Sequence, residues 1–280
     1  MSLQFILGGA GSGKSHYVFE KIIQESLAHP DRQYRILVPD QFTMQIQIEV
    51  ARLHPRGGLL NIDVLSFNRL AHHIFREVGC QTPPVLEDMG KAFVLQRVAQ
   101  AKKKELKVLG SQIDKNGCIQ EIKSLVSELM QYEIRPDDLA EIQKGLAGQP
   151  LLEEKLGDIR ILYDGFKEFL ENHYVTSEEI LELLCDVLPE AESMRNATVV
   201  LDGFIGFTPV QNRLLGVMLG CCRNVYVTVT LDGREDPYSR GGMHNRFWKS
   251  RKTMQDILMK ARAAGASVEE PVRMETTLAY

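Results

Sequence analysis

The chain has little of what a metal or disulfide scaffold needs. Its 280 residues include five cysteines, Cys80, Cys118, Cys185, Cys221 and Cys222. They are odd in number, scattered and never spaced Cys-x-x-Cys. A zinc site and a disulfide framework are both excluded, and the thiols read as reduced and mostly buried. His54, His72 and His73 have no suitably spaced acidic or thiol partners, so no structural metal is expected. No apolar stretch approaches about 18 residues, and no basic, apolar, small-residue leader opens the chain. The expectation is a cytoplasmic protein without a membrane partner. Excess charge is also scarce: 33 Lys and Arg stand against 37 Asp and Glu, a net charge of −4. Nothing draws the whole molecule to nucleic acid, so any DNA binding must come from local placement. Internal repeats and low-complexity tracts are absent. What remains is ordinary globular composition, 44% hydrophobic and 25% charged. The length suits one large domain or two of ordinary size.

Glycine, by contrast, is concentrated at the start. The apolar run Leu3–Leu7 leads directly into Gly8, Gly9, Ala10, Gly11, Ser12, Gly13, Lys14 and Ser15. This is the phosphate-loop pattern in its required setting of strand, glycine-rich turn and helix start. Glycines let the backbone curl so that successive N–H groups point inward at a phosphate. The positive end of the following helix adds to that field. ATP with Mg²⁺ is the expected cofactor pair, held by residues 8–15. Lys14 is expected to bridge the β- and γ-phosphates, and Ser15 to hold the Mg²⁺. The loop begins too early to leave room for a removed leader.

The rest of the chain alternates, then changes character. Strands are expected at Leu3–Leu7, Tyr34–Val38 and Leu60–Leu65, each followed by a helix: Lys14–Ala28, Gln41–Leu53 and Phe67–Val78. That alternation predicts an α/β fold with a parallel, doubly wound sheet. From Leu86 to Leu188 the apolar spacing is helical almost throughout. Helices are expected at Lys91–Val108, Ile119–Tyr132, Pro136–Leu146, Leu151–His173 and Ser177–Leu188. Pro83 and Pro84 mark the entry to this stretch, and Pro189 marks its exit. Strands return at Ala197–Leu201 and Val225–Leu231, with helices at Pro209–Leu219 and Asn245–Ala263. The expected organisation is one sheet domain from 1–82 and 195–280, carrying an all-helical insert at 83–194.

Nucleotide hydrolysis needs a second acidic element at a strand end. Asp202 fits, after Ala197-Thr-Val-Val-Leu201, and its carboxylate would share the nucleotide's Mg²⁺ with Ser15. A simple turn-forming role for Asp202 is the alternative. P-loop motors of the helicase type place a glutamate next, to activate water. Position 203 is Gly203. Losing a general base costs about 10²–10⁴-fold in rate. No catalytic residue is therefore assigned, and nucleotide binding with little or no hydrolysis is expected.

Four segments, in order, carry a specific likeness. They are Gly8–Ser15; Leu37-Val-Pro-Asp-Gln-Phe-Thr43; Val64-Leu-Ser-Phe-Asn-Arg-Leu-Ala71; and Val200-Leu-Asp-Gly-Phe-Ile-Gly-Phe-Thr-Pro-Val-Gln211. Together they resemble the amino-terminal region of the AddB (RexB) family, the B subunits of AddAB helicase–nucleases that repair double-strand breaks. The resemblance implies a P-loop NTPase core of RecA-like, superfamily 1 helicase 1A type with an inserted helical 1B-type subdomain. It implies an AddA partner in a heterodimer, single- and double-stranded DNA as ligands, and scanning for the Chi recombination sequence. It also implies that this chain is a fragment. The nuclease domain and its 4Fe-4S cluster would lie beyond residue 280. Residue by residue, the likeness makes Phe67 and Phe207 stacking platforms for bases. Gln41, Thr43 and Arg69 become polar contacts, and His72 a less specific one. Ordinary core packing is the other reading for both phenylalanines. Two basic clusters are left over. Lys102, Lys103, Lys104 and Lys107 read as a solvated helix end. Arg246, Lys249, Arg251 and Lys252, with Trp248, could line a DNA path or face solvent. An active P-loop ATPase or kinase, and a scaffold with a vestigial loop, stay open as alternatives.

Overall fold

Each opening unit follows from one local pattern: an apolar run buried on both faces, a turn, and an amphipathic helix. The computed structural model describes residues 1–58, 60–146, 148–171, 173–232, 238 and 246–274. The first units are β1 (Ser2–Gly8), α1 (Lys14–Ala28), β2 (Tyr34–Leu37), α2 (Thr43–Leu53), β3 (Ile62–Leu65) and α3 (Phe67–Val78). Strand β3 starts later than expected because Leu60, 90% exposed, does not join the sheet. A 3-10 turn at Asp40–Phe42 precedes α2. Ser66 caps α3 by accepting the Arg69 N–H at 3.4 Å, and Gly79 ends it in the left-handed conformation.

The helical stretch follows: β4 (Val85–Leu86), α4 (Asp88–Lys102), α5 (Asn116–Gln131), α6 (Pro136–Lys144), α7 (Pro150–Leu170), β5 (Val175–Thr176) and α8 (Ser177–Val187). It is not wholly helical. Strands β4 and β5 pair in parallel, Val85 with Val175 and Leu86 with Thr176. Pro83 and Pro84 favour extended backbone on entry, and Val85, Val175 and Thr176 are β-branched and suit a strand. Helix α4 also stops at Lys102, short of the expected Val108. The reason is Asp158, a buried carboxylate on α7. It accepts the N–H groups of Lys107, Val108 and Leu109 at 2.9, 2.7 and 2.8 Å. Those amides turn toward Asp158 instead of continuing the helix.

The chain then returns through α9 (Glu192–Arg195), β6 (Thr198–Leu201), α10 (Pro209–Cys221), β7 (Asn224–Thr230), α11 (Trp248–Ala263), β8 (Ser267–Val268) and β9 (Val272–Arg273). The expected start of α11 at Asn245 lies outside the described residues. Neither β8 nor β9 was legible as a strand, because each is only two residues long.

The described chain forms two compact units, Met1–Cys80 with Leu181–Tyr280, and Gln81–Ile180. The return at Leu181 precedes the expected 195. Helix α9 and the 3-10 turn before it pack on α10, within the first unit. That first unit is a parallel sheet in the order β3-β2-β6-β7-β1-β8, with β9 also on β1. Ile6, Tyr34, Ile36, Val64, Val200 and Tyr226 share one core with Phe19 and Ile22 of α1 and Val50 of α2. The alternate residues Phe5, Leu37, Val199, Leu201 and Val227 are equally buried. Both faces are thus covered, as a parallel sheet requires. The second unit closes on Leu95, Val126, Leu139, Leu162 and Phe166. Among the described residues no helix is long and apolar enough to cross a membrane.

Asp158 generates a direct prediction for the second unit. Asp158→Ala removes the shared acceptor of three amides and should destabilise by about 2–4 kcal/mol. Urea unfolding measures it, and an unchanged midpoint would show that water substitutes for the carboxylate.

Candidate functional site

Parallel strands in register share a carboxyl edge. Leu65 pairs with Leu37, Leu37 with Leu201, Leu201 with Val227, and Val227 with Phe5. Strand β1 runs on past this level to Gly8. The segments after β1, β2, β3 and β6 therefore open at one edge, where open α/β sheets receive ligands.

The loop after β1 curls through two left-handed glycines, Gly11 (φ 73°) and Gly13 (φ 83°). Gly13 leads into α1 with no side-chain cap, which leaves first-turn N–H groups of that helix available to an anion. Lys14 folds back over the loop. Its Nζ donates to the Gly8 carbonyl at 2.9 Å and the Gly9 carbonyl at 2.6 Å. Burial lowers the proton affinity of this amine, and the nearby Asp202 carboxylate opposes that.

Asp202 sits at the end of β6, 3% exposed. Its Oδ1 accepts from Ser15 Oγ at 3.0 Å and from Thr228 Oγ1 at 2.6 Å. Its backbone N–H donates to the Leu37 carbonyl at 3.0 Å. A hydroxyl and a carboxylate at contact, both hard oxygen donors, fit a divalent cation such as Mg²⁺. The curled loop with Lys14 fits the phosphates such a cation would accompany. Thr228 escaped the sequence reading. The signal was a threonine inside the run Val225-Tyr-Val-Thr-Val, one residue past the Val227–Leu201 pair.

Gly203 follows with φ 78°. A side chain there would meet Pro39 only at an ordinary 3.6 Å. Backbone conformation, not space, favours glycine at this position.

Phe67, Phe204 and Phe207 form one aromatic group. Ring centroids lie 5.3 Å apart for Phe67–Phe204, 5.1 Å for Phe204–Phe207 and 6.4 Å for Phe67–Phe207. Phe67 is buried, and the other two are partly buried. Phe204 is a second residue missed from sequence; its three-residue spacing from Phe207 was the available clue. Ile205 projects alongside, 80% exposed, and Phe42 is 39% exposed. Gln41, Arg69 and His72 are all exposed. Thr43 is not presented: it is buried, and its hydroxyl donates to the Asp40 carbonyl at 2.8 Å.

The basic clusters resolve differently. Lys102, Lys103 and Lys107 pair with Glu105, Asp114 and Glu154. Arg251 is buried, which removes it from any open basic face, and Lys252 lies 5.4 Å over the Trp248 ring.

Fold and site together define an α/β protein with a parallel sheet and a glycine-rich loop at its carboxyl edge. The chain belongs to the AddB amino-terminal family: the family model described as "ADDB, N-terminal" matches residues 5–279. It is similar to curated proteins named as the B subunits of ATP-dependent helicase/deoxyribonucleases. Identity is 40% over 273 residues with the Lachnoclostridium phytofermentans protein, covering 97% of this chain and 24% of that one. It is 33% over 280 residues with that of Heliobacterium modesticaldum, covering 98% and 23%. With that of Geobacillus kaustophilus it is 30% over 279 residues, covering 97% and 24%. The chain thus spans about a quarter of the length of these relatives.

The left-handed backbone at 203 is testable. Gly203→Ala should cost about 1–2 kcal/mol in urea unfolding. A neutral substitution would mean that residue 203 does not hold φ near 78° in solution.

Proposed function

We propose that this chain is the helicase-like amino-terminal part of an AddB-type protein. In this reading it binds ATP with Mg²⁺ at residues 8–15 and Asp202, and single-stranded DNA along the same carboxyl edge. The observation that carries the reading is the Ser15–Asp202 contact at 3.0 Å at the foot of a glycine loop that also bears Lys14. Two hard oxygen donors from distant parts of the chain meet where a nucleotide's cation would sit. The Met1–Cys80 and Leu181–Tyr280 unit would then be the RecA-like, 1A-type P-loop NTPase domain. The Gln81–Ile180 unit would be the 1B-type insert.

Little hydrolysis is expected. Gly203 supplies no general base beside Asp202, and its left-handed backbone disfavours one. The DNA face would use Phe204 and Phe207 as stacking surfaces, buttressed by Phe67. Gln41, Arg69 and His72 would give polar contacts. The parent protein would pair with an AddA-type motor in the cytoplasm, act in double-strand-break repair, and scan single strands for Chi. Its nuclease domain and 4Fe-4S cluster would belong to the three-quarters outside this chain.

A second reading, a scaffold with a vestigial loop, draws on the folded-back Lys14, whose amine already satisfies two loop carbonyls. Ligand binding separates the two. ATP with Mg²⁺ should raise the melting temperature, because a ligand of the folded state stabilises it. Lys14→Ala should abolish the shift, while steady-state ATPase stays near background. No shift in the wild-type chain would leave the scaffold. Turnover of several per second would refute the binding-only assignment.

Proton linkage offers an independent check. Burial holds the Lys14 amine below its ordinary range, and an arriving polyanion would raise it. Binding should therefore take up protons where the free amine is partly deprotonated, and affinity should fall as pH climbs through that range. Calorimetric titration at alkaline pH, in two buffers of different ionisation enthalpy, should give different heats. Equal heats would mean that Lys14 does not meet the ligand.

A further inference from the structure

The carboxyl-terminal strands do more than complete the sheet. Strand β9 pairs with the end of β1, Ile6 with Val272 and Leu7 with Arg273. The Met274 N–H then donates to the Leu7 carbonyl at 2.7 Å. This register delivers Met274 to the glycine loop. A Cβ on Gly8 would lie 3.0 Å from Met274 Cβ and 3.1 Å from its carbonyl oxygen. A Cβ on Gly13 would lie 4.0 Å from Met274 Cε. The methionine therefore stretches along the loop from its first glycine to its last. It packs beside the core that includes Ile6, Val18 and Phe19, yet stays only partly buried.

The sheet order fixes which flank this is. Strands β7 and β6, with Thr228 and Asp202, lie on one side of β1; β9 lies on the other. A triphosphate seated on the loop puts its γ end toward the Ser15–Asp202 pair, where cation and carboxylate belong. Its nucleoside end must then leave by the opposite flank, which carries Met274. A thioether side chain is polarizable, adaptable and suited to lie against an aromatic ring or a sugar face.

Resting on the nucleotide reading above, we propose that Met274 is the apolar surface against which the nucleoside of the bound nucleotide lies. It is a binding residue, added to the site by the edge strand β9. A thioether makes no directional hydrogen bond with a base edge, so Met274 holds purine nucleotides by contact rather than by base identity.

Equilibrium binding of the 280-residue chain to two Mg²⁺-loaded probes tests this: a non-hydrolysable ATP analogue and inorganic tripolyphosphate, which lacks a nucleoside. Met274→Ala should weaken the ATP analogue about tenfold and leave tripolyphosphate unchanged. Met274→Leu, which keeps the apolar surface, should stay within about twofold of wild type for both. A guanine analogue should lose as much as the adenine one on Met274→Ala. Equal loss for analogue and tripolyphosphate would make Met274 a brace for the loop and overturn the proposal. So would no loss at all. If the wild-type chain binds neither probe, the nucleotide reading itself fails. If it binds tripolyphosphate as tightly as the analogue, only the role of Met274 falls.

Discussion

A carboxylate withdrawn from water at the end of a parallel strand needs partners, because an unsatisfied buried charge costs several kcal/mol. Asp202 meets that demand with one oxygen shared by Ser15 and Thr228. Ser15 lies in the first turn of α1, Asp202 directly follows β6, and Thr228 lies in β7. Three elements far apart in sequence are thereby tied at one point of the carboxyl edge. The tie depends on register. A one-residue slip of β7 against β6 would turn Thr228 to the opposite face. The same register sets the Leu65–Leu37–Leu201 level, and so sets where the loops after β1, β2, β3 and β6 emerge. The chemistry at the edge is a consequence of strand alignment in the core.

Position 203 shows two requirements meeting in one residue. The backbone there is left-handed, which L side chains adopt only at a cost of about 1–2 kcal/mol. In the same step the chain turns, and Phe204 and Phe207 meet Phe67 as a single aromatic group. A glutamate in place of Gly203 would have to bear the backbone strain before it could act on water. On the nucleotide reading proposed above, the lack of a general base beside Asp202 and the aromatic turn would both go with one backbone conformation. A backbone that turns the aromatic group together at 204 and 207 is thus one that disfavours any side chain at 203.

The sheet strands and their helices were legible because each was long enough to show its period. Helix α1 begins after Gly13, and α3 begins after Ser66 and ends at Gly79. The positions of the loop after β1 and of Asp202 and Gly203 after β6 were equally plain, since each follows a legible strand. What escaped was set by contacts rather than by pattern. Thr228 reads as a β-former until the register puts it beside Asp202. Thr43 reads as a polar contact until its hydroxyl is seen capping the turn at Asp40. Asp158 carries no signal in the helical pattern of its own segment, yet its carboxylate collects the amides of Lys107, Val108 and Leu109 beyond α4. Arg251 reads as part of a basic face and is buried. Strands β8 and β9 carry too few residues for any period. They exist because the outer edge of β1 offers unpaired backbone groups that must be satisfied.

The folded-back Lys14 bears on how such a loop meets its ligand. With Nζ on the Gly8 and Gly9 carbonyls, the amine neutralises partial charges that would otherwise face one another inside the curl. A phosphate offers a full charge in exchange. Unit charges about 4 Å apart interact by about 4 kcal/mol at an effective dielectric of about 20. Two carbonyl contacts to the same amine contribute about 1.5–3 kcal/mol each at most. Against a single phosphate charge the terms are comparable; a triphosphate brings several charges to the same amine, so on the proposed reading the exchange favours the ligand and removing Lys14 would abolish it. The loop N–H groups, which Lys14 does not occupy, and a cation held by Ser15 and Asp202 would add to it in that reading. On the proposed reading the lysine and the Ser15–Asp202 pair act together, and neither alone would hold the triphosphate.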